Sequence, residues 1–199
     1  MNLIRYSNNL SLPQPKKPNT MLKSNTIRMG ILIGLLGIII NVLIYVINPA
    51  FFANISFALI LFVVYITAYF FAMYSIRKTN DGYLSFKEAY FVALGVMMIS
   101  TFVELSFKLV LYNVIDTELA GFIQNKTVEN TTALMERFNV PEEEIEKAVE
   151  KIDVEGQYSA ISMLKGYGWG ILISAVVALI IAAIVKKDKQ TFESIVDNT

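Results

Sequence analysis

The chain has 199 residues, of which 55% are hydrophobic and 17% are charged, with 17 basic and 17 acidic side chains. Soluble domains carry about 45–50% apolar and about 25% charged residues, so this composition indicates a membrane protein. The sequence contains neither cysteine nor histidine, which excludes disulfides, thiolate chemistry and histidine-based catalysis or metal binding. The balanced charge gives no reason to expect nucleic-acid binding.

Residues 1–24 precede the first long apolar stretch and contain three prolines and no acidic side chain. We expect a disordered cytoplasmic tail there. The apolar run that follows is longer than the core of a signal peptide, and Asn48-Pro49 is a poor cleavage site. We therefore interpret that run as an uncleaved first span, and residues 25–189 as one membrane domain followed by a cytoplasmic tail at 190–199.

Four stretches are long enough to cross a bilayer core, which requires about 20 residues of helix. We predict spans at about 29–47, 55–76, 89–115 and 167–185, of which only the third contains charges, Glu104 and Lys108. Four such helices leave no polar face for water. The sequence therefore predicts an all-α integral membrane protein with four transmembrane helices and a short amphipathic helical segment between spans three and four.

Basic and acidic flanks alternate along the chain. Five basic side chains precede the first span, whereas the segment from Asp116 to Gly166 carries five basic and eleven acidic side chains. Basic flanks stay in the cytoplasm. We therefore predict that both termini are cytoplasmic and that residues 116–166 form an extracytoplasmic acidic helical cap.

The cap is expected to contain two short amphipathic helices. Leu134 and Phe138 fit one helical face, and Pro141 suits the first turn of a second helix. That second helix carries apolar residues at helical spacing: Ile145, Val149 and Ile152. The apolar faces of the two helices could pack on each other, on the ends of the spans or on the lipid surface. The alternative is that the two helices only form a solvated acidic cap.

Small residues recur at every fourth position of two spans, and small side chains let helix backbones approach closely. The residues lie in the first and fourth spans: Gly30, Gly34, Gly170, Ser174, Ala178 and Ala182. We predict that they form helix-packing stripes within the molecule, with dimerisation as the alternative.

The third span contains a group of polar side chains that could have a chemical role. Four residues spaced by four share a helical face: Ser100, Glu104, Lys108 and Tyr112. Counting helical rise places Asn41 and Ser174 at a depth comparable to that of Glu104. We predict an intramembrane polar cluster of Glu104, Lys108, Asn41 and Ser174. It either holds the bundle together or forms a proton relay, an ion relay or a small-solute site.

Several runs resemble a known family in their order and spacing. They are the run from Asp81 to Tyr90, which fits a Gly-x-x-Ser/Thr-Phe-x-x-Ala pattern, the run from Tyr112 to Asp116, the acidic run 141–146 and Lys186-Lys187. Over about residues 26–189 the chain resembles the bacterial membrane-protein family catalogued as domain of unknown function 4199. The resemblance implies a four-span inner-membrane protein of Gram-negative bacteria, and it brings no activity and no catalytic residues.

The glycines form no phosphate-binding loop, and the acidic residues do not fit a calcium-loop spacing. We therefore expect a non-enzymatic protein without catalytic residues, metal or cofactor, acting through interaction or assembly. The alternative is a small transporter or channel component that uses Glu104 and Lys108. The expected partners are the lipid bilayer and either a second copy of the chain or another membrane protein, in the bacterial inner membrane.

Overall fold

The computed structural model describes residues 20–152 and 158–188, and in that part of the chain helices are joined by short connections. The six α-helices are α1 (Thr20–Ile47), α2 (Ile55–Thr79), α3 (Phe86–Val110), α4 (Leu119–Arg137), α5 (Glu142–Ile152) and α6 (Ala160–Val185). A 3₁₀ helix, Pro49–Ala53, joins α1 to α2, and a π-helical turn, Leu111–Ile115, continues α3. Helices α1, α2, α3 and α6 are long and apolar enough to cross a membrane, which confirms the predicted fold class.

The helices extend beyond the stretches that hydropathy marked as spans. Helix α1 begins at Thr20, so residues 20–24 are helical and do not belong to the predicted tail. Residues 1–19 and 190–199, where the two tails are predicted, lie outside the described residues. Helix α6 begins at Ala160, seven residues before the predicted span. Long polar side chains at the end of a span can place their charged groups in water while their backbone stays helical. The helix can therefore extend beyond the apolar residues that mark the span.

Side-chain caps fix where two of the long helices begin. Asn54 accepts the Phe57 backbone N–H at 3.0 Å and thereby starts α2. Ser85 and Glu88 form a reciprocal capping box at the start of α3, in which the Glu88 carboxylate accepts the Ser85 backbone N–H at 3.0 Å. Both caps satisfy backbone donors that a helix start leaves without intrahelical partners.

Helix α3 is the centre of the bundle, because it packs along α1 on one side and along α6 on another. Helix α6 contributes fully buried alanines, Ala178 and Ala182, to this core. Helix α2 is buried only near its end, at Ala72, Met73 and Ile76. Most of the α2 surface is therefore left to face lipid.

The start of α1, the α2–α3 connection and the end of α6 lie at one end of the bundle, which we call the basic end. Leu84 and Lys187 exchange two backbone hydrogen bonds of 2.8 Å there, and the Arg77 guanidinium donates to the Val185 carbonyl at 2.8 Å. The connection between α2 and α3 is thereby fastened to the end of α6.

The opposite end, which we call the acidic end, carries the 3₁₀ helix, α4 and α5. Leu119 and Ile123 at the start of α4 are buried against Leu111 and Tyr112 at the end of the third span. Burial raises the pKa of the half-buried Tyr158, whose ring meets Tyr112 edge-on at 5.6 Å. No residue of helix α5 is fully buried, and its apolar side chains are half-buried. The acidic segment is thus anchored at the start of α4 and only loosely packed at α5.

Candidate functional site

The carboxylate of Glu104 is the centre of a polar cluster between α1, α2 and α3. Its Oε1 accepts hydrogen bonds from the Asn41 amide at 3.1 Å and from the Lys108 ammonium at 2.7 Å. Its Oε2 accepts from the Tyr65 hydroxyl at 2.9 Å. The Glu104 side chain is 18% exposed and that of Lys108 is 33% exposed. Donors from three different helices therefore bind one carboxylate inside the third span.

A glycine makes room for this carboxylate. A Cβ atom added at Gly37 would lie 2.7 Å from the Tyr65 hydroxyl and 2.8 Å from Glu104 Oε2, closer than real Cβ contacts. The Asn41 amide also donates to the Gly37 carbonyl at 2.7 Å, which orients it towards Glu104. Gly37 is therefore a positioning residue for the cluster.

A second polar contact lies one helical turn away. The Tyr69 hydroxyl lies 3.0 Å from Ser100 Oγ, and that Oγ also lies 3.0 Å from the Met97 carbonyl, to which it donates. Tyr65 and Tyr69 are four residues apart on α2, as are Ser100 and Glu104 on α3, so the pairs meet in register across the two helices. We use the name polar ladder for the set Asn41, Tyr65, Tyr69, Ser100, Glu104 and Lys108.

The structure brings together three of the four residues predicted for the cluster, namely Asn41, Glu104 and Lys108. Ser174 lies on α6, and within the described part of the chain no hydrogen bond links it to the other three. The reason is depth, because the Tyr167 hydroxyl of α6 donates to the Met98 carbonyl of α3. Ser174 follows Tyr167 by seven residues towards the basic end, whereas Glu104 follows Met98 by six residues towards the acidic end.

Sequence reasoning missed Tyr65, Tyr69 and Gly37. Tyr65 and Tyr69 are two of the 10 tyrosines of the chain, and they lie in an uncharged span. The signal that could have found them is their spacing of four, which matches the spacing of Ser100 and Glu104.

The two predicted small-residue stripes differ in what they contact. A Cβ added at Gly30 would lie 2.7 Å from Ile99 Cβ, and one added at Gly34 would lie 2.6 Å from Val103 Cβ. The stripe of α1 therefore sets a very close approach to α3.

The stripe of α6 is used only in part. Ala178 and Ala182 are fully buried, Ser174 is half-buried, and a Cβ at Gly170 would meet nothing within 4 Å. Its buried half packs helices within the molecule, and its Gly170 end is open.

The chemistry of the polar ladder is that of a satisfied network. Across the residues that the structure describes, no buried side-chain nitrogen or oxygen lacks a hydrogen-bond partner. Within the same residues, no group of three or more acidic side chains could hold a metal ion. A carboxylate bound by an ammonium, an amide and a phenol stabilises helix association directly.

A comparison with family models finds one match. Residues 28–187 match the family described as "Protein of unknown function (DUF4199)". The chain belongs to this family. The DUF4199 match contains the whole polar ladder and all of α4 and α5, and it confirms the resemblance found in the sequence. No curated protein and no solved structure matches the chain. Family membership and the four apolar helices together indicate a membrane protein whose family has no assigned function.

Proposed function

We propose that this DUF4199 protein is a non-enzymatic, multi-pass protein of the bacterial inner membrane that acts by binding another membrane protein through its acidic end. The observation that carries the proposal is the state of α5. This helix has eleven residues and one apolar face, formed by Ile145, Val149 and Ile152, yet none of its residues is fully buried and this face is only half-buried. Helices this short are marginal in water without tertiary packing, so a partner surface would complete what α4 provides.

The shape and charge of α4 and α5 define the chemistry of that partner. Between the two helices lies a groove of about 520 Å³ whose lining includes Thr132, Val140, Ile145 and Val149. Phe138, at the turn between them, is 74% exposed. Helix α5 carries five glutamates against two lysines. The surface therefore fits a protein that presents an apolar ridge flanked by basic side chains.

The orientation in the membrane is part of the same proposal. The positive-inside rule would place the basic end, with both termini, in the cytoplasm and the acidic end outside it. A reporter that is active only in the periplasm, fused after residue 199, should stay inactive, whereas the same reporter inserted at residue 139 should be active. The reverse pattern would contradict both the orientation and an extracytoplasmic partner.

A photo-crosslinking amino acid at Phe138 tests the proposed contact in native membranes. We expect a discrete crosslinked protein from this site and none from Phe62, which is exposed on the apolar surface of α2. Ile145→Asp with Val149→Asp should abolish the crosslink, because the apolar face is lost.

The matched control keeps that apolar face. Glu143→Gln with Lys147→Gln removes an exposed ion pair on the opposite face without changing the net charge, and should leave the crosslink unchanged. Crosslinks of equal yield from Phe138 and Phe62, or none from Phe138, would contradict the proposal.

A small transporter or channel component is the second candidate, and the placement of Glu104 and Lys108 inside the third span favours it. Ionisable groups at that depth often line proton or ion pathways. Proton flux measured with a pH-sensitive dye in proteoliposomes decides between the candidates. Flux that disappears in Glu104→Gln and Lys108→Met variants of normal fold would support transport. Absence of flux from the unsubstituted chain would leave the polar ladder as a structural element.

A further inference from the structure

A long groove runs along the outside of the bundle at the basic end, between the first turns of α1 and the first half of α3. Its volume is about 710 Å³, and its wall is apolar, with Ile27, Phe91, Val92 and Ile99 among the lining residues. Lys23 and Lys87 line it at the ends of the two helices that lie nearest the basic end.

The length of the groove corresponds to one leaflet of a bilayer. Lys87 and Ile99 are twelve positions apart on α3, which corresponds to roughly 18 Å at the rise of an α-helix. Half of a hydrocarbon core of about 30 Å is close to this length. At its inner end the close contact of α1 and α3 closes the groove, since a Cβ at Gly30 would lie 2.7 Å from Ile99 Cβ. The groove therefore begins at headgroup level and ends inside the membrane.

The charges at the groove favour an anion. Among the described residues, neither Lys23 nor Lys87 forms an ion pair. One acidic side chain, Glu88, also lines the groove, but its Oε2 is bound to the Ser85 backbone N–H at 3.0 Å and to Ser85 Oγ at 2.7 Å. Glu88 is thus held in the cap of α3, and the two lysine ammonium groups remain available to a ligand.

We propose that this groove binds one anionic phospholipid, with an acyl chain along Ile27, Phe91 and Ile99 and the phosphate at Lys23 and Lys87. Basic sites between membrane helices bind anionic headgroups in this way, and an apolar channel of leaflet length accepts the chain. The lipid would lie along one side of the α1–α3 contact and touch both helices. This inference does not depend on the proposed partner at the acidic end.

Native mass spectrometry of the full chain, released from detergent with added phosphatidylglycerol or phosphatidylcholine, tests the proposal. We expect one tightly bound phosphatidylglycerol and weaker binding of phosphatidylcholine. Each of Lys23→Gln and Lys87→Gln should lower the affinity for phosphatidylglycerol about fivefold, and the double variant about 25-fold. Lys78→Gln is the matched control, because Lys78 lies at the same end, on α2, outside the groove. It should change the affinity less than twofold.

Two further measurements separate a lipid site from a general attraction of anions. Thr26→Trp places a large ring in the groove and should lower the binding of both lipids. Inorganic phosphate at millimolar concentration should not displace phosphatidylglycerol, because it lacks the acyl chain. Equal affinity for the two lipids, an equal loss with Lys78→Gln, or displacement by phosphate would each overturn the proposal.

Discussion

Helix α3 is held on two sides by two different kinds of contact. On the α1 side, Gly30 and Gly34 bring the helix backbones so close that a single added Cβ would overlap Ile99 or Val103. On the α2 side, the hydroxyls of Tyr65 and Tyr69 reach across to Glu104 and Ser100. One side relies on the absence of side chains and the other on long polar ones.

The difference shows which interaction stabilises the α1–α3 pair and which stabilises the α2–α3 pair in the membrane. Lipid is as apolar as leucine, so helices gain from close packing or from hydrogen bonds that lipid cannot replace. The α1–α3 pair uses close packing along its length. Helix α2, which buries few residues, depends on hydrogen bonds. Glu104 belongs to both sides, because it accepts from Asn41 of α1 and from Tyr65 of α2.

The largest loss of stability is expected at Glu104, the acceptor that the α1 side and the α2 side share. Lys108→Met removes the cation at 2.7 Å from Glu104 and leaves a partly buried charge without its counter-ion. We expect a loss of about 3 kcal/mol in the free energy of unfolding, measured by titration from mild detergent into a denaturing one. Lys126→Met, which breaks the exposed pair with Glu129, should cost less than about 1 kcal/mol. Equal costs for the two variants would show that Glu104 is not desolvated.

Closing the glycine contact tests the α1 side alone. Gly34→Ala places a Cβ 2.6 Å from Val103 Cβ and 3.0 Å from the Ser100 carbonyl, so α1 must move away, at a cost of about 2 kcal/mol. Gly170→Ala is the control, because nothing lies within 4 Å of its added Cβ. There the higher helix propensity of alanine should stabilise the protein by up to about 1 kcal/mol. The same unfolding titration should therefore give opposite signs, and destabilisation by both would argue against the α1–α3 contact.

Tyr65→Phe tests the α2 side. The variant removes one hydrogen bond to the Glu104 carboxylate and keeps the ring, so we expect a loss of about 1.5 kcal/mol. A disulfide crosslink between cysteines introduced into α2 and α3 should also form more slowly. Tyr74→Phe, on the same helix but 57% exposed, should change neither quantity. If Tyr74→Phe lowers the free energy of unfolding as much as Tyr65→Phe does, the loss does not come from the hydrogen bond between Tyr65 and Glu104.

The smallest effect is expected at the neutral pair of the polar ladder. Tyr69→Phe removes a hydroxyl–hydroxyl contact of 3.0 Å to Ser100, and such bonds inside membrane bundles are worth about 0.6 kcal/mol on average. The unfolding titration should therefore rank Tyr69→Phe below Tyr65→Phe. A reversed order would mean that charge on the acceptor is not what strengthens the contact at Glu104.

The sequence was sufficient for the architecture because lipid imposes a simple constraint. A span needs about 20 apolar residues, and all four predicted stretches lie within helices of sufficient length. The exact ends were less predictable. Thr20 and Ala160 begin helices outside the apolar windows, because hydropathy reports where lipid touches the chain and not where backbone hydrogen bonding stops.

The polar ladder was predictable in its charged members and less so in its neutral ones. Glu104 and Lys108 are conspicuous because charge is costly in a span, and depth counting pointed to Asn41 as a neighbour. The same counting pointed to Ser174, which lies nearer the basic end than Glu104. Helix α6 begins at Ala160, outside the apolar window, and hydropathy does not reveal how far α6 is shifted along α3. Tyr65 is uncharged, so only its spacing of four from Tyr69, matched to that of Ser100 and Glu104, could have marked it.

The shared acceptor at Glu104 has a consequence for biosynthesis. Chains leave the ribosome from the N-terminus, so the segments with Asn41 and Tyr65 would enter the bilayer before the segment with Glu104. The Glu104 carboxylate would then enter the bilayer after its hydrogen-bond donors, the Asn41 amide and the Tyr65 hydroxyl. Its counter-ion, Lys108, follows it by four residues. The order of translation alone would spare the third segment a period of exposure to lipid as an isolated anion.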